Sequence, residues 1–174
     1  MIDVILDRIF FDYSKESAKE YRESFLDRMF SIEIDLLNIK GFVRLKRMDK
    51  EIDYLRKVLI PGGDLEREIF TDSFAQPWDR FRDVLRYKDY ARVIDDREWG
   101  SEDMGWVLSL ERGCENFLTG YVRKAKFISF GIEPLFGYWW AKYIELKNLK
   151  NVLMGKIYRL SHEEIKADLR ETYN

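Results

Sequence analysis

The sequence predicts an all-α protein made of two similar helical lobes. Residues that interrupt helices are scarce, with 3 Pro and 10 Gly among 174 residues, and apolar residues recur at steps of three and four. No segment combines apolar–polar alternation with β-branched enrichment, which strands favour. One short pattern also occurs twice, with a period of about 110 residues (148 − 38). A period this long indicates a duplicated small domain and not a solenoid.

The repeated pattern places an asparagine three residues after an acid. The first copy, DLLNIKGFVRLK, begins at Asp35 and contains Asn38; the second, ELKNLKNVLMGK, begins at Glu145 and contains Asn148. Asparagine is mildly unfavourable inside a helix, and the acid and the asparagine share one helix face. We interpret these four residues as a hydrogen-bonding network within each lobe, with direct contact to a partner protein as the alternative.

Three helices are predicted in the first 60 residues. Residues 2–13 form a short helix, and Ser14 is expected to be the N-cap of a second helix that runs toward Phe30. A long helix is predicted from about Ile32 until Pro61, where Pro and the following Gly-Gly end it. The apolar stripe of this helix is formed by Leu45, Met48, Ile52, Leu55 and Leu59.

Two shorter helices complete the first lobe, which we assign to residues 1–94. They are predicted over 64–74 and 78–94, with Pro77 suited to the first turn of the second helix because it has no N–H to leave unpaired. The acidic stretch 95–101 is expected to be a linker. This linker divides the first lobe from the second.

The second lobe, residues 102–174, is predicted to begin with a helix over 102–130. Pro134 opens the next helix, which runs to about Leu160 and carries the second copy of the repeat. Ser161 and the glutamate three residues later form a capping box, in which each side chain accepts a hydrogen bond from the other's backbone N–H. A final helix is expected to continue from there to about residue 172.

Composition excludes several classes of protein. The chain has 30 Lys and Arg against 32 Asp and Glu, so no one-sided basic field for nucleic acid is expected. The single cysteine, Cys114, cannot form an internal disulfide, which favours a reducing, cytoplasmic location. Acids interrupt the first apolar residues, and no stretch approaches the ~20 apolar residues of a membrane span. We therefore expect neither a signal peptide nor a membrane helix.

No catalytic residue, cofactor site or metal site is predicted. His162 is the only histidine and belongs to the capping box, Cys114 has no activating neighbour in sequence, and Gly62-Gly63 lacks the ending of a phosphate-binding loop. Catalysis by two carboxylates that are far apart in the sequence is the one enzymatic mechanism that the sequence does not exclude. The acids nearest to a cation-binding cluster lack calcium-loop spacing, and we interpret them as a solvated linker. They are Asp95, Asp96, Glu98, Glu102 and Asp103.

The two copies of the repeat resemble the C subunit of archaeal and bacterial V/A-type ATPases, whose eukaryotic counterpart is the d subunit. The segments LDRIFF from Leu6 and PLFGY from Pro134 carry the same resemblance. Members of this family have three similar helical lobes that form a funnel about a pseudo-threefold axis. The resemblance implies that this chain holds the second and third lobes and lacks the first.

The resemblance also implies a function. Members of the family sit between the rotating axle of the soluble ATPase head and the proteolipid ring of the membrane, and they bind no nucleotide. This chain would therefore be a non-catalytic central-stalk subunit that couples axle and ring during ion transport or ATP synthesis. Its partners would be the axle subunits and the ring, and it would lie peripherally on the cytoplasmic face of the membrane.

A basic cluster is the candidate surface for such contacts. A detachable coupling needs charge-complementary faces, which set orientation and association rate more than affinity. The alternative interpretation of this cluster is an ordinary solvated helix face. The second copy of the repeat has Met154 where the first has Arg44, so a charge contact at this position cannot be common to both lobes. The candidate subunit interface consists of Arg44, Lys46, Arg47, Lys150 and Lys156.

An unrelated all-α adaptor that binds a partner helix is the alternative function. Its aromatic anchors would be Trp139, Trp140 and Tyr143, since aromatic residues dominate many helix-binding interfaces. The same three residues could equally belong to the core of the second lobe. Substituting Trp139 or Trp140 by Ala would separate the two interpretations, because loss of folding indicates a core residue and loss of binding in a folded protein indicates an anchor.

Overall fold

A computed structural model describes residues 2–93 and 105–173, and it is all-helical over these ranges. The predicted all-α class is confirmed. The predicted linker, 95–101, lies outside the described residues, so the lobe boundaries at 94 and 102 stay predictions. The α-helices are α1 (Ile2–Glu20), α2 (Ser24–Arg47), α3 (Ile52–Val58), α4 (Arg67–Phe74), α5 (Trp78–Arg86), α6 (Gly105–Val122), α7 (Glu133–Ile157) and α8 (His162–Ala167).

The chain divides into two compact units, Met1–Glu111 and Arg112–Asn174. In unit 1, α1 packs along α2, and Phe11, Ile34 and Ile60 form a buried cluster between them. A second cluster surrounds Phe42, whose ring stacks on Phe81 at 3.8 Å between centroids. Aromatic burial of this kind is a major source of core stability. The other rings against Phe42 are those of Phe70, Phe74 and Trp78.

Unit 2 is built from the last turns of α6, the long helix α7 and the short helix α8. Trp140 of α7 is buried, and its indole N–H donates to Thr119 Oγ1 at 3.1 Å. Ile144, one turn further, is fully buried. The predicted capping box of α8 is confirmed: the Ser161 N–H donates to Glu164 Oε2 at 2.8 Å, and the Glu164 N–H donates to Ser161 Oγ at 3.2 Å.

The predicted helix break at Ser14 is wrong, because α1 continues through it to Glu20. Phe11 and Ala18, seven residues apart, are both buried, so an unbroken helix keeps both on the face toward the core. The break comes instead at Arg22, whose φ is 56°. This left-handed residue turns the chain into α2.

The predicted long helix ending at Pro61 is in fact two helices. Its first part, α2, ends at Arg47, and Asp49 adopts a φ of 49° before α3 begins. Met48, expected in the apolar stripe, is exposed. The turn is required because the residues after α3 return alongside the middle of α2. Proline at 61 lies beyond the end of α3.

Helix α6, predicted to continue to residue 130, ends at Val122 and is followed by a 3-10 helix, Arg123–Phe127. Two other helix ends also differ from prediction. Helix α5 ends at Arg86, and a 3-10 helix, Asp89–Val93, follows it where a continuous helix was expected. Helix α8 ends at Ala167, because the residues after it bend back toward α7. In both places the chain makes a tertiary contact where the next helical turn was expected. The spacing of apolar residues does not predict this contact.

Candidate functional site

Asn38 braces the returning segment of unit 1 against the middle of α2. Its side-chain Nδ2 donates to the carbonyl oxygen of Ile60 at 2.9 Å, and the Ile60 N–H donates back to Asn38 Oδ1 at 2.8 Å. Both residues are buried. The asparagine that is unfavourable within a helix therefore satisfies two backbone groups that would otherwise be buried unpaired.

Asn148 makes the same pair of hydrogen bonds in unit 2. Its Nδ2 donates to Arg170 O at 2.9 Å and its Oδ1 accepts from the Arg170 N–H at 2.8 Å. In each unit the braced residue follows the asparagine by 22 residues. We refer to these two arrangements as the asparagine braces. Their equal geometry supports the predicted repeat.

The turns that follow α2 and α7 also correspond. The Lys50 N–H donates to Leu45 O at 3.1 Å, and the Leu160 N–H donates to Gly155 O at 2.9 Å. The residue before each donor is left-handed: one is Asp49, and the other is Arg159 with a φ of 57°. Bonds of this six-residue span close a helix C-terminus in the Schellman manner.

The acids of the two repeat copies differ in their surroundings. Asp35 is fully buried and accepts hydrogen bonds from the N–H of Asp64 at 2.9 Å, the N–H of Leu65, and Tyr90 Oη at 2.6 Å. Burial raises the pKa of Asp35, and the hydrogen bonds from Tyr90 and the two N–H groups oppose that rise. Glu145, in contrast, is exposed on α7 and pairs with Lys142 at 2.8 Å.

Glu115 is the centre of a polar network in unit 2 that the sequence analysis did not identify. Its Oε2 accepts from Arg170 Nε at 2.6 Å, and its Oε1 accepts from Lys147 Nζ. Burial acts to raise the pKa of Glu115, but the bonds and charges of Arg170 and Lys147 outweigh it and hold the pKa below its usual value. The only signal in the sequence was an acid inside the apolar stretch of α6.

Lys46, one of the candidate interface residues, is engaged within unit 1. Its ammonium donates to Gln76 O at 2.6 Å and to Phe74 O, which lie at the C-terminal end of α4. It also lies 5.3 Å from the ring centroid of Trp78. Burial lowers the pKa of Lys46. These contacts are typical of a cation that closes a helix C-terminus.

Arg44 and Arg47 lie beside Lys46 at the end of α2 and border a cavity of about 310 Å³. Arg44 is mostly exposed, with its Nη2 at 3.6 Å from Glu111 Oε1, and the Arg47 guanidinium lies 5.5 Å from the ring centroid of Trp106. Apolar side chains, among them Val43, also line the cavity, as does Glu111.

The two candidate lysines of unit 2, Lys150 and Lys156, lie exposed on α7. Neither forms an ion pair within the described ranges. Trp139 of the same helix is exposed and stacks on Tyr143 at 5.9 Å, whereas Trp140 is buried. Of the three predicted aromatic anchors, Trp140 therefore belongs to the core of unit 2, and Trp139 and Tyr143 are at its surface.

The residues considered for catalysis are not assembled into a site. His162 is the exposed first residue of α8, and Cys114 is buried within α6. Over residues 2–93 and 105–173, no group of His, Cys, Asp and Glu side chains could hold a metal ion. Within the same ranges, no helix has the length and apolar character to cross a membrane. The five acids considered as a cation-binding cluster, at positions 95–103, lie outside the described residues.

Over residues 2–93 and 105–173 the protein is all-helical, and Asn38 and Asn148 each hold a backbone segment against a long helix. The family model described as "ATP synthase (C/AC39) subunit" matches residues 1–168. The chain therefore belongs to the ATP synthase (C/AC39) subunit family. This agrees with the resemblance found in the repeat copies, and it excludes the alternative of an adaptor unrelated to that family.

Curated relatives carry related descriptions. The C subunit of the V-type sodium ATPase of Enterococcus hirae is 25% identical over 173 residues, which are 99% of this chain and 52% of that protein. The C subunit of the A-type ATP synthase of Archaeoglobus fulgidus is 27% identical over 176 residues, covering 95% of this chain and 48% of that protein. The chain thus spans about half the length of these relatives. No solved structure gives a significant match.

Proposed function

We propose that this chain is a non-catalytic central-stalk subunit of a rotary V/A-type ATPase. It couples the axle of the soluble head to the membrane proteolipid ring during ion transport or ATP synthesis. The observation that carries the proposal is the family match over residues 1–168. The names of the relatives, which are C subunits of a V-type sodium ATPase and of an A-type ATP synthase, support it.

The geometry of the units supports a mechanical role. A coupling part must resist deformation, and close-packed interiors transmit strain because they are dense and weakly compressible. Each unit adds an asparagine brace that ties a returning segment to the middle of its long helix. A side chain bonded to both backbone groups of one residue resists sliding along the helix as well as separation from it. This is a use of polar groups suited to bearing load.

The same proposal gives partners and location. Arg44 and Arg47 on unit 1, and Lys150 and Lys156 on unit 2, are the residues we propose for contacts with the axle subunits or the ring. The protein lies peripherally at the cytoplasmic face of the membrane, and it makes and breaks no covalent bond.

The test is a pull-down with the tagged chain from detergent-solubilised membranes of the source cell. Axle and ring subunits should be recovered and identified by mass spectrometry. A variant with Arg44, Lys150 and Lys156 changed to Glu should recover them at a level reduced by about tenfold or more, since reversed charges oppose association. The matched control changes the exposed residues Lys19, Lys88 and Lys166 to Glu, and it should recover as much as the unaltered chain. Recovery of neither axle nor ring by the unaltered chain would contradict the proposal.

A further inference from the structure

The segments that return along the long helix of each unit are held in different ways. We call residues 51–63 the return arm of unit 1 and residues 161–173 the return arm of unit 2. They correspond through the 110-residue period, and each contains a short helix, α3 or α8. Apolar burial fixes the return arm of unit 1 to its unit. Three of its side chains lie in the core, none more than 5% exposed: Leu55, Leu59 and Ile60.

The return arm of unit 2 has little apolar burial. All of its residues, 161–173, are described, and none of them is buried. Ile165, Leu169 and Arg170 stand at the three positions that are buried in unit 1, and each of them is only half-buried. The arm of unit 2 therefore gains much less free energy from apolar burial than its counterpart in unit 1 does.

Polar groups of α6 and α7 hold the return arm of unit 2. Asn148 of α7 binds both backbone groups of Arg170. From α6, Glu115 Oε2 accepts from Arg170 Nε at 2.6 Å, and Asn116 Oδ1 accepts from the Glu171 N–H at 2.9 Å. The side chains of Glu115 and Arg170 are only 18% and 11% exposed. Since salt screens a partly buried pair weakly, this ion pair is the strongest charge contact of the arm.

The remaining polar contacts of the arm lie in the same short stretch, 168–172. Arg123 donates to Thr172 O at 3.1 Å and pairs with Glu171 Oε2 at 2.8 Å. Asn151 Nδ2 donates to Asp168 O at 3.2 Å. These contacts hold neighbouring residues of one extended segment, so the loss of one loosens the others. Segments with few buried apolar contacts open at a lower free-energy cost than global unfolding.

We propose that the return arm of unit 2 is detachable: residues 161–173 open and close as one unit while α6 and α7 stay packed, and the ion pair of Glu115 controls the opening. The two helices have a contact of their own, since the buried Trp140 donates to Thr119 Oγ1 at 3.1 Å. Opening brings the amide of Asn148 and the carboxylate of Glu115 into solvent. The arm of unit 1 stays closed, because its opening would expose three core side chains. The inference goes beyond the proposed function and does not depend on it.

Hydrogen exchange of the full chain, read by mass spectrometry of peptic peptides, tests the opening. After correction for intrinsic rates, amides of 161–173 should exchange about 100-fold or more faster than those of 51–63, because local opening is more frequent than global unfolding. Amides in the middle of α7 should exchange about tenfold or more slowly than the arm that lies on it. Equal exchange of the two arms, or of the arm and the middle of α7, would overturn the proposal.

Glu115→Gln tests whether the arm moves as one unit. It removes the charge that Arg170 pairs with, and it should speed exchange about tenfold both in 168–173 and in α8, where Arg170 does not lie. The matched control is Glu111→Gln, since the Glu111 carboxylate lies 3.6 Å from Arg44 of unit 1; exchange of the arm should stay the same. Faster exchange in 168–173 alone would show that the segment frays independently of α8, against the proposal.

A reversible crosslink between α7 and α8 gives a second test. A Cβ at Gly155 would lie 3.6 Å from the Cβ of Ile165, within the range that a disulfide spans. In a Gly155→Cys, Ile165→Cys variant, oxidation should slow exchange of 168–173 by about tenfold or more, and reduction should restore it. The oxidised and reduced forms share one sequence, so each is the control for the other. Unchanged exchange of 168–173 in the oxidised form would contradict the opening of the arm as one unit.

Discussion

Asn38 and Ile60 hold each other through two hydrogen bonds in opposite directions, at 2.9 Å and 2.8 Å. A side-chain amide is suited to this because it offers a carbonyl acceptor and an N–H donor side by side. A carboxylate would present only acceptors to the Ile60 carbonyl, and an aliphatic side chain would present nothing. The brace therefore accounts for asparagine in the middle of a buried helix.

Asn38→Ala should lower the free energy of unfolding by about 2–4 kcal/mol, because it leaves a buried N–H and a buried C=O of Ile60 unpaired. Asn148→Ala should cost less, about 1–2 kcal/mol, since its brace is half-buried and water can replace part of it. Urea unfolding followed by far-UV circular dichroism measures both. The control is Asn151→Ala, which removes one exposed hydrogen bond of 3.2 Å to Asp168 O. A loss no larger for Asn38 than for Asn151 would show that the brace is not a major contributor.

Gly63→Ala should destabilise the protein by about 1–3 kcal/mol, the usual range for overpacking. A Cβ at Gly63 would overlap the Asp35 carboxylate, lying 2.8 Å from its Cγ. Gly41→Ala should have the opposite sign and stabilise by about 0.5–1 kcal/mol, because Gly41 is within α2 and nothing lies within 4 Å of the added Cβ. Thermal unfolding of the two variants, measured side by side, gives the comparison. A change in stability of the same sign in both variants would contradict the prediction.

Glu115→Gln should lower the free energy of unfolding at neutral pH by about 1–3 kcal/mol, because it removes the charge that Arg170 and Lys147 pair with. The pKa of Glu115 lies below its usual value of 4.5 in the folded protein. Its contribution is therefore present above pH 4.5 and is lost as the pH falls through the folded pKa. The difference between the variant and the unaltered chain should shrink below pH 4.5. A difference that stays constant from about pH 7 to about pH 3.5 would exclude this linkage.

Trp140→Ala should cost about 3–5 kcal/mol, the range for large-to-small substitutions of buried aromatic residues. Trp139→Ala, the adjacent exposed residue, should change stability by less than about 1 kcal/mol. Unfolding in guanidinium chloride with a far-UV signal compares them without relying on tryptophan fluorescence. A folded, stable Trp140→Ala protein would contradict its assignment to the core.

The sequence predicted the fold class correctly, but it did not predict the turn between α2 and α3. Scarce Pro and Gly, helical spacing and the capping box at Ser161 predicted the class and the start of α8. The break between α2 and α3 escaped because Leu45, Met48, Ile52 and Leu55 keep helical spacing across it. Asp49 takes the left-handed conformation there. Aspartate tolerates this conformation, but an aspartate in the sequence does not predict it.

Only the asparagine of each asparagine brace could be predicted from the sequence, and its backbone partner could not. Asn38 and Asn148 are conspicuous because asparagine is unusual within a helix, but their partners contribute backbone N–H and C=O groups that any residue except proline possesses. Nothing in the identity of Ile60 or Arg170 marks it as a partner. The basic cluster shows the same limit: Lys46, in the same run as Arg44 and Arg47, is distinguished from them by the carbonyls at the end of α4, which the sequence does not reveal.

The two asparagine braces also restrict how the chain can change its length. Nine residues separate each asparagine from the end of its helix, at Arg47 or Ile157, which is about 14 Å at 1.5 Å per residue. The returning segment must cover that distance with its backbone in register with the amide. An insertion or deletion of a single residue within 38–60 or 148–170 would place a different backbone group opposite the asparagine. Among natural relatives, length variation should therefore gather outside these two intervals.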